Sequence, residues 1–197
     1  MANLLQIKTS IFQQDGQSSQ LVEEIKEKWL SAHPNGTVTT RDLAVDPVPH
    51  LTLPRFQAFS TKWSERTVDE QAVVDYSDTL IDEIRNADVL VLGVPMYNFS
   101  VPSSLHSYFD HVARVGETFQ YTPEGPVGLL TGKKAYVVIT RGGFYGENHG
   151  QTSFIRQFLG FIGISDVEFI HAEGLAVNDE AKTDSLLAAR NSIAQIA

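Results

Sequence analysis

One stretch restricts this chain more than any other. Residues 87–94, Ala-Asp-Val-Leu-Val-Leu-Gly-Val, form its most apolar run and show no polar alternation. Such a run fits a strand buried on both faces, the position of a central strand in a parallel sheet covered by helices. The strand stops at Pro95, and a helix resumes near Pro102, whose fixed φ suits the first helical position. Between the two prolines lie Met96, Tyr97, Asn98 and Phe99. In open α/β sheets, ligands sit at the carboxyl ends of the strands. Flat apolar rings beside an amide suit a planar heteroaromatic ligand with hydrogen-bonding edges. The alternative is a well-packed connector, but strand-end loops often carry function, which favours the ligand site.

The rest of the chain alternates between strand-like and helix-like segments. Leu4–Ile7 reads as a first strand, residues 8–19 as a polar loop, and Leu21, Val22, Ile25 and Trp29 as one helical stripe. Thr37–Asp42 reads as a second strand. Residues 43–66, with Pro47, Pro49 and Pro54, read as a long irregular segment carrying Phe56, Phe59 and Trp63. Thr67-Val-Asp-Glu70 is a capping box that opens a second helix. A third helix is expected over Pro102–Ala113. Residues 115–133 form an excursion in which 117–121 alternate like a strand before the turn Thr-Pro-Glu-Gly-Pro. Ala135–Ile139 and Val167–Ile170 are the fourth and fifth strands. They flank a helix marked by Phe154, Ile155, Phe158, Leu159 and Ile162, and Asn178 caps a last helix. The pattern predicts one α/β domain over 1–197 with a five-stranded parallel sheet and helices on both faces. Two strand orders are common for such sheets, and the pattern alone does not choose between them.

Composition narrows the partners. The net charge of −9 argues against nucleic acid and anionic membrane surfaces. With no cysteine there is no disulfide framework, thiolate metal site or thiol nucleophile. The six histidines show no metal-ligand spacing, so no metal site is expected, and no G-x-S-x-G elbow is present. The amino-terminal apolar run is too short for a signal peptide, and no stretch reaches the length of a membrane span. The expected location is cytoplasmic.

Two more strand-end loops would meet the 95–99 loop at one sheet edge. In the first, Ser10, Gly16, Gln17, Ser18 and Ser19 place hydroxyls, an amide and backbone N–H groups at a helix N-terminus, as an anion site requires. Neither a Walker loop nor a dinucleotide fingerprint is present, and an ordinary serine cap is the alternative. In the other, Thr140-Arg-Gly-Gly143 puts two glycines where backbone must approach something flat or bulky. Its alternative is a glycine-rich turn with Arg141 in a surface ion pair. One loop for phosphate and two for a ring system describe a mononucleotide cofactor, and FMN fits best.

At this point the chain resembles a known family. Lys-Thr-Ser-Ile at 8–11, Gln-Ser at 17–18, Pro-Met-Tyr-Asn-Phe at 95–99, Phe-Gln-Tyr-Thr-Pro-Glu-Gly-Pro at 119–126, Gly-Leu-Leu-Thr-Gly-Lys-Lys at 128–134, Arg-Gly-Gly at 141–143 and Phe-Leu-Gly-Phe-Ile-Gly at 158–163 are similar, in the same order, to motifs of the FMN-dependent NADH-azoreductases. These enzymes are also described as NADH:quinone reductases and belong to the flavodoxin-like superfamily. The resemblance implies a flavodoxin-like three-layer sandwich with strand order 2-1-3-4-5. It also implies a homodimer with active sites at the subunit interface. Ser10, Gln17 and Ser18 would hold the FMN phosphate. Gly16 stands where relatives often have Ser, which removes a hydroxyl and leaves the N–H. Pro95, Met96, Tyr97, Asn98 and Phe99 would line the ribityl chain and isoalloxazine, and Thr140, Arg141, Gly142 and Gly143 would close the ring's polar edge. Tyr121 and Phe161 match positions that line the substrate pocket, Phe161 from the other subunit. Residues 51–66 match poorly. There Phe56, Phe59 and Trp63 are candidates for the pocket wall, with packing beneath a long loop as their alternative.

The implied reaction is ping-pong. NADH reduces the flavin, which then reduces a quinone or an azo compound, while the protein supplies placement and electrostatics. Backbone N–H groups of Gly142 and Gly143 are candidates to stabilise negative charge on the ring. No covalent nucleophile or obligatory general acid is evident. A flavodoxin-type electron carrier and a flavin-binding regulator are the competing readings. The Phe-rich third and fourth helices argue against a carrier.

Overall fold

The computed structural model describes residues 2–196. Five strands, β1 (Asn3–Lys8), β2 (Thr37–Asp42), β3 (Val89–Pro95), β6 (Lys134–Thr140) and β7 (Asp166–Ala172), form one parallel sheet. Their order is β2-β1-β3-β6-β7, which is 2-1-3-4-5 when only these strands are counted. Two short strands, β4 (Phe119–Thr122) and β5 (Gly125–Gly128), make an antiparallel hairpin within the predicted excursion. Register pairs Leu4 with Val89, Leu90 with Ala135 and Ala135 with Val167, so β3 is flanked on both sides as its apolar run demands.

Two cores follow from the alternation of side chains across the sheet. On one face Leu5, Ile7, Leu90, Leu92, Val94, Val137 and Ile139 pack beneath α3 (Val68–Asn86), α4 (Ser103–Val112) and α5 (Gly150–Phe161). On the other, Leu4, Val91, Tyr136, Val138 and Ile170 pack beneath α1 (Gln17–Ala32) and α6 (Asp179–Gln195). The capping box holds α3 at its start. Glu70 N–H donates to Thr67 Oγ1 at 3.2 Å, and Thr67 N–H donates to the Glu70 carboxylate at 2.8 Å.

The sequence reading needs two corrections. The segment 43–66 is not irregular throughout, because α2 (Leu53–Ser60) and a 3-10 turn (Trp63–Glu65) lie within it. Pro54 occupies the first turn of α2, where a missing N–H costs nothing, so this proline opens a helix instead of breaking one. Pro102 is the N-cap of α4, one position outside the helix. Among the described residues, no helix is long and apolar enough to cross a membrane.

Candidate functional site

Strand register carries the loops after β1, β3 and β6 to one edge of the sheet. There they enclose a cleft of about 180 Å³. Ser10, Gly16, Gln17, Ser18, Pro95, Met96, Tyr97, Thr140, Arg141 and Gly142 line it, and Asn98, Phe99 and Gly143 adjoin it along the chain. Phe12 and Leu175 line it as well, and sequence reasoning missed both. The apolar pair Ile11-Phe12 within a polar loop was a usable signal. Nothing local marks Leu175, which the turn after β7 brings in. Larger hollows of about 450 and 460 Å³ lie against α3, away from these loops. Size therefore does not select the site; its chemistry does.

One end of the cleft has features that an anion site requires. Gly16 is the N-cap of α1, so the N–H groups of the first turn have no acceptor within the helix. The Ser18 and Ser19 hydroxyls are buried without a hydrogen-bond partner. A buried hydroxyl in that state costs about 1–3 kcal/mol, and an oxyanion at the helix end would remove the cost for one facing it. Ser10 sits close by, its Oγ accepting from Phe12 N–H at 3.3 Å. A Cβ built at Gly16 would overlap Ser10 Oγ and lie 2.7 Å from Ser10 Cβ, so the glycine leaves Ser10 its place. The Gly16 N–H is not free, contrary to the sequence reading. It donates to the Gln13 carbonyl at 3.2 Å, because a 3-10 turn (Gln13–Asp15) runs directly into α1 and uses it.

The loop after β3 is a tight reversal. Tyr97 and Ser100 exchange both backbone hydrogen bonds at 3.0 Å, and the two residues between them, Asn98 and Phe99, have φ of +48° and +63°. That is the pattern of a primed hairpin turn, which normally favours glycine or asparagine. Met96 N–H donates to the Thr140 carbonyl at 2.8 Å and continues the β3–β6 ladder. The Tyr97 hydroxyl accepts from Ile11 N–H at 3.2 Å, which joins this loop to the anion loop. Phe99 is 69% exposed and meets Tyr145 edge-on, with ring centroids 6.1 Å apart.

The loop after β6 turns its carbonyls outward to the turn after β7. Those of Arg141, Gly142 and Gly143 accept from the N–H groups of Leu175, Ala176 and Gly174 at 2.9–3.1 Å. Among the described residues, the N–H groups of Gly142 and Gly143 meet no acceptor. The Arg141 guanidinium does not form the surface ion pair of the alternative reading. It is buried, and it donates to Glu173 Oε1 (2.6 Å), Thr152 Oγ1 (2.7 Å), the Gly146 carbonyl (2.8 Å) and Gln151 Oε1 (3.0 Å). Burial pushes the Glu173 carboxyl up, but hydrogen bonds from Arg141, Gly146 and Tyr145 outweigh it and hold the group below the usual carboxylate range.

The five candidate pocket-wall residues lie outside the cleft of a single chain, Trp63 exposed to solvent. Tyr121 is 73% exposed on the hairpin and edge-on to Phe119, which packs on Phe161 at 4.3 Å. Phe161, with Phe154, Gln157 and Phe158, lines a separate and largely apolar hollow of about 310 Å³. Phe56 is exposed on α2. Phe59 packs beneath the 43–66 segment, with the Arg114 guanidinium 4.9 Å from its ring centroid and His111 edge-on at 5.9 Å. Packing, the alternative held open for Phe59, is what the structure shows.

A doubly wound sheet with a helix N-terminus and a cleft at its carboxyl edge defines the class, and the chain belongs to the family described as flavodoxin-like fold, whose profile matches residues 2–197. Within that class it is 50% identical, over 99% of its length and 98% of the relative's, to the FMN-dependent NADH:quinone oxidoreductase of Cellvibrio japonicus. It is 47% identical to the protein of the same name from Burkholderia pseudomallei, with both chains covered completely. Among solved structures, an azoreductase from Bacillus anthracis superposes with a TM-score of 0.90 at 29% identity, over 99% of this chain and 98% of that one. An FMN-dependent NADH-azoreductase from the same species, solved in complex with FMN, superposes with a TM-score of 0.86 at 25% identity, covering 99% of each chain.

Proposed function

We propose that this chain is an FMN-dependent oxidoreductase that takes electrons from NADH and delivers them to quinones and azo compounds. The observation that carries the proposal is the presence, in the lining of one cleft, of Ser18, whose buried hydroxyl at a helix N-terminus has no partner, and of Gly142, whose N–H meets no acceptor among the described residues. The names of the relatives supply the donor and the acceptors.

Bound there, FMN would supply the hydride-transfer chemistry. Ser10, Gln17 and Ser18 hold its phosphate, helped by the first-turn N–H groups of α1. Pro95, Met96, Tyr97, Asn98 and Phe99 seat the ribityl chain and the ring. Thr140 and the Gly142 and Gly143 N–H groups meet the ring's polar edge, where they stabilise negative charge and need no reorganisation. Donor and acceptor would take turns at the same cleft, which would give ping-pong kinetics.

The reading extends to assembly. A ligand of this size occupies a pocket of roughly 300–1,000 Å³, whereas the cleft of one chain holds about 180 Å³. A second copy would complete it and cover the aromatic face of Phe154, Phe158 and Phe161, with Phe161 and Tyr121 forming part of the acceptor pocket. Residues 1–197 act as one FMN-binding domain in a cytoplasmic homodimer.

The test is an anaerobic absorption spectrum of the FMN-loaded protein before and after NADH. Bleaching by NADH and recovery with a quinone support the enzyme. Flavin that binds but stays oxidised points to a carrier or sensor, and no bound flavin removes the reading. Gly16→Ala checks the anion end separately. Its methyl group displaces Ser10, and FMN affinity measured by flavin fluorescence is expected to fall about tenfold, or about 1.4 kcal/mol.

A further inference from the structure

We infer that Gln151 is a positioning residue for the flavin-binding loop 95–99, and that the buried Arg141–Glu173 pair sets its orientation. The inference rests on the FMN reading above, and Gln151 itself lines no part of the cleft.

Gln151 lies in the first turn of α5 and is 1% exposed. Both ends of its amide are engaged. Oε1 accepts from Arg141 Nε at 3.0 Å, and Nε2 donates to the Pro95 carbonyl at 3.2 Å. A guanidinium only donates and a carbonyl only accepts, so a single orientation of the amide satisfies both neighbours. Arg141 has little freedom of its own, because Glu173, Thr152 and the Gly146 carbonyl take its remaining arms. Orientation therefore passes from Glu173 through Arg141 to Gln151 and on to Pro95.

The last link decides what the network does. The Pro95 carbonyl and the Met96 N–H belong to the same peptide unit. Gln151 holds its oxygen, and the Thr140 carbonyl holds its N–H at 2.8 Å. The plane of this peptide is thus clamped from both sides at the point where β3 ends and the cleft loop begins. Met96, Tyr97 and the left-handed pair Asn98 and Phe99 all leave from it. Without the Gln151 amide, a buried carbonyl at the strand end loses its donor. That peptide then keeps only its bond to Thr140 and can tilt, and the loop tilts with it. None of Glu173, Arg141 and Gln151 needs to touch the ligand with its side chain to act in this way.

A merely structural role would cost stability in proportion to the network disturbed. A positioning role would cost FMN affinity only when the bond to Pro95 is lost. Gln151→Glu keeps the side chain's size and an acceptor for Arg141 but replaces the donor facing Pro95. Gln151→Met removes both functions and carries the same comparison if the first variant does not fold. Thr152→Val removes one acceptor of Arg141 and leaves the Gln151–Pro95 bond alone. The measurements are the apoprotein Tm, the FMN Kd by fluorescence titration and the visible circular dichroism of bound flavin.

The expected result is a folded Gln151 variant with FMN affinity at least tenfold weaker and an altered visible dichroism. Thr152→Val is expected to have a lower Tm and an FMN affinity within twofold of the unaltered protein. Unchanged affinity and dichroism in the Gln151 variants overturns the inference, as does an equal loss of affinity in Thr152→Val. In either case FMN binding by the unaltered protein leaves the FMN reading standing. Absence of FMN binding by that protein overturns both.

Discussion

Replacing Glu173 with alanine is expected to destabilise the protein by about 3–5 kcal/mol, the usual cost of removing one partner from a buried ion pair. For a chain of this length, that corresponds to a Tm lower by about 6–20 °C. The Arg141 side chain is 0% exposed, so its guanidinium has no water to turn to once the carboxylate is gone. Glu173 also accepts from the N–H groups of Tyr145 and Gly146, which lose that acceptor together with Arg141. Glu173→Gln keeps one acceptor oxygen in place and is expected to cost less. The pH dependence separates the two effects. Because the folded-state pKa of Glu173 is depressed, its contribution is fully present above the ordinary carboxylate range. It is lost as the pH falls through the folded-state value. Thermal unfolding followed from neutral to acid pH should therefore show the gap between the unaltered protein and Glu173→Gln narrowing as the medium becomes more acid.

Gly128→Ala is the second substitution with a large expected effect. A Cβ at position 128 would overlap the backbone of Ile162 and Gly163 at the end of α5. No flexible side chain is available to give way, and Gly163 itself has φ of +107°, a conformation suited to glycine. The hairpin is tied to that helix end by Leu130 N–H donating to the Ile162 carbonyl at 2.9 Å, so the strain falls on this joint. Overpacking of this kind costs about 1–3 kcal/mol, and more where the backbone itself is blocked. Displacing β5 also separates Phe119 from Phe161 and moves Tyr121. The expected outcome is a lower midpoint in denaturant and a raised KM for quinone, with FMN affinity kept. A loss of FMN affinity instead would argue that the hairpin belongs to the cofactor site.

How much of this was legible in the sequence depends on the range of the forces involved. Local rules found β2 at its observed bounds, the α3 capping box at Thr67 and Glu70, and the Asn178 cap of α6, whose Oδ1 accepts from Ala181 N–H at 2.8 Å. The unbroken apolar run of β3 identified the central strand, and from it the edge where the cleft lies. Pro54 misled because the same residue ends one helix and begins another, and only neighbouring packing decides which. The direction of the Arg141 side chain was not readable either. Its partners lie up to 32 residues away, on α5 and just past the end of β7, and both elements must first be placed. The Gly16 N–H was miscounted because a 3-10 turn leaves so weak a sequence trace. The Gln151–Pro95 bond spans 56 residues and has no local signature.

The turn at Asn98 and Phe99 has a consequence for how this chain tolerates change. Holding a bulky aromatic residue in left-handed backbone costs on the order of 1–3 kcal/mol, and glycine would relieve it. Drift towards greater robustness at these two positions therefore leads to the residue that discards the ring. A search for heat-resistant variants, made without regard to redox turnover, would tend to select against the loop.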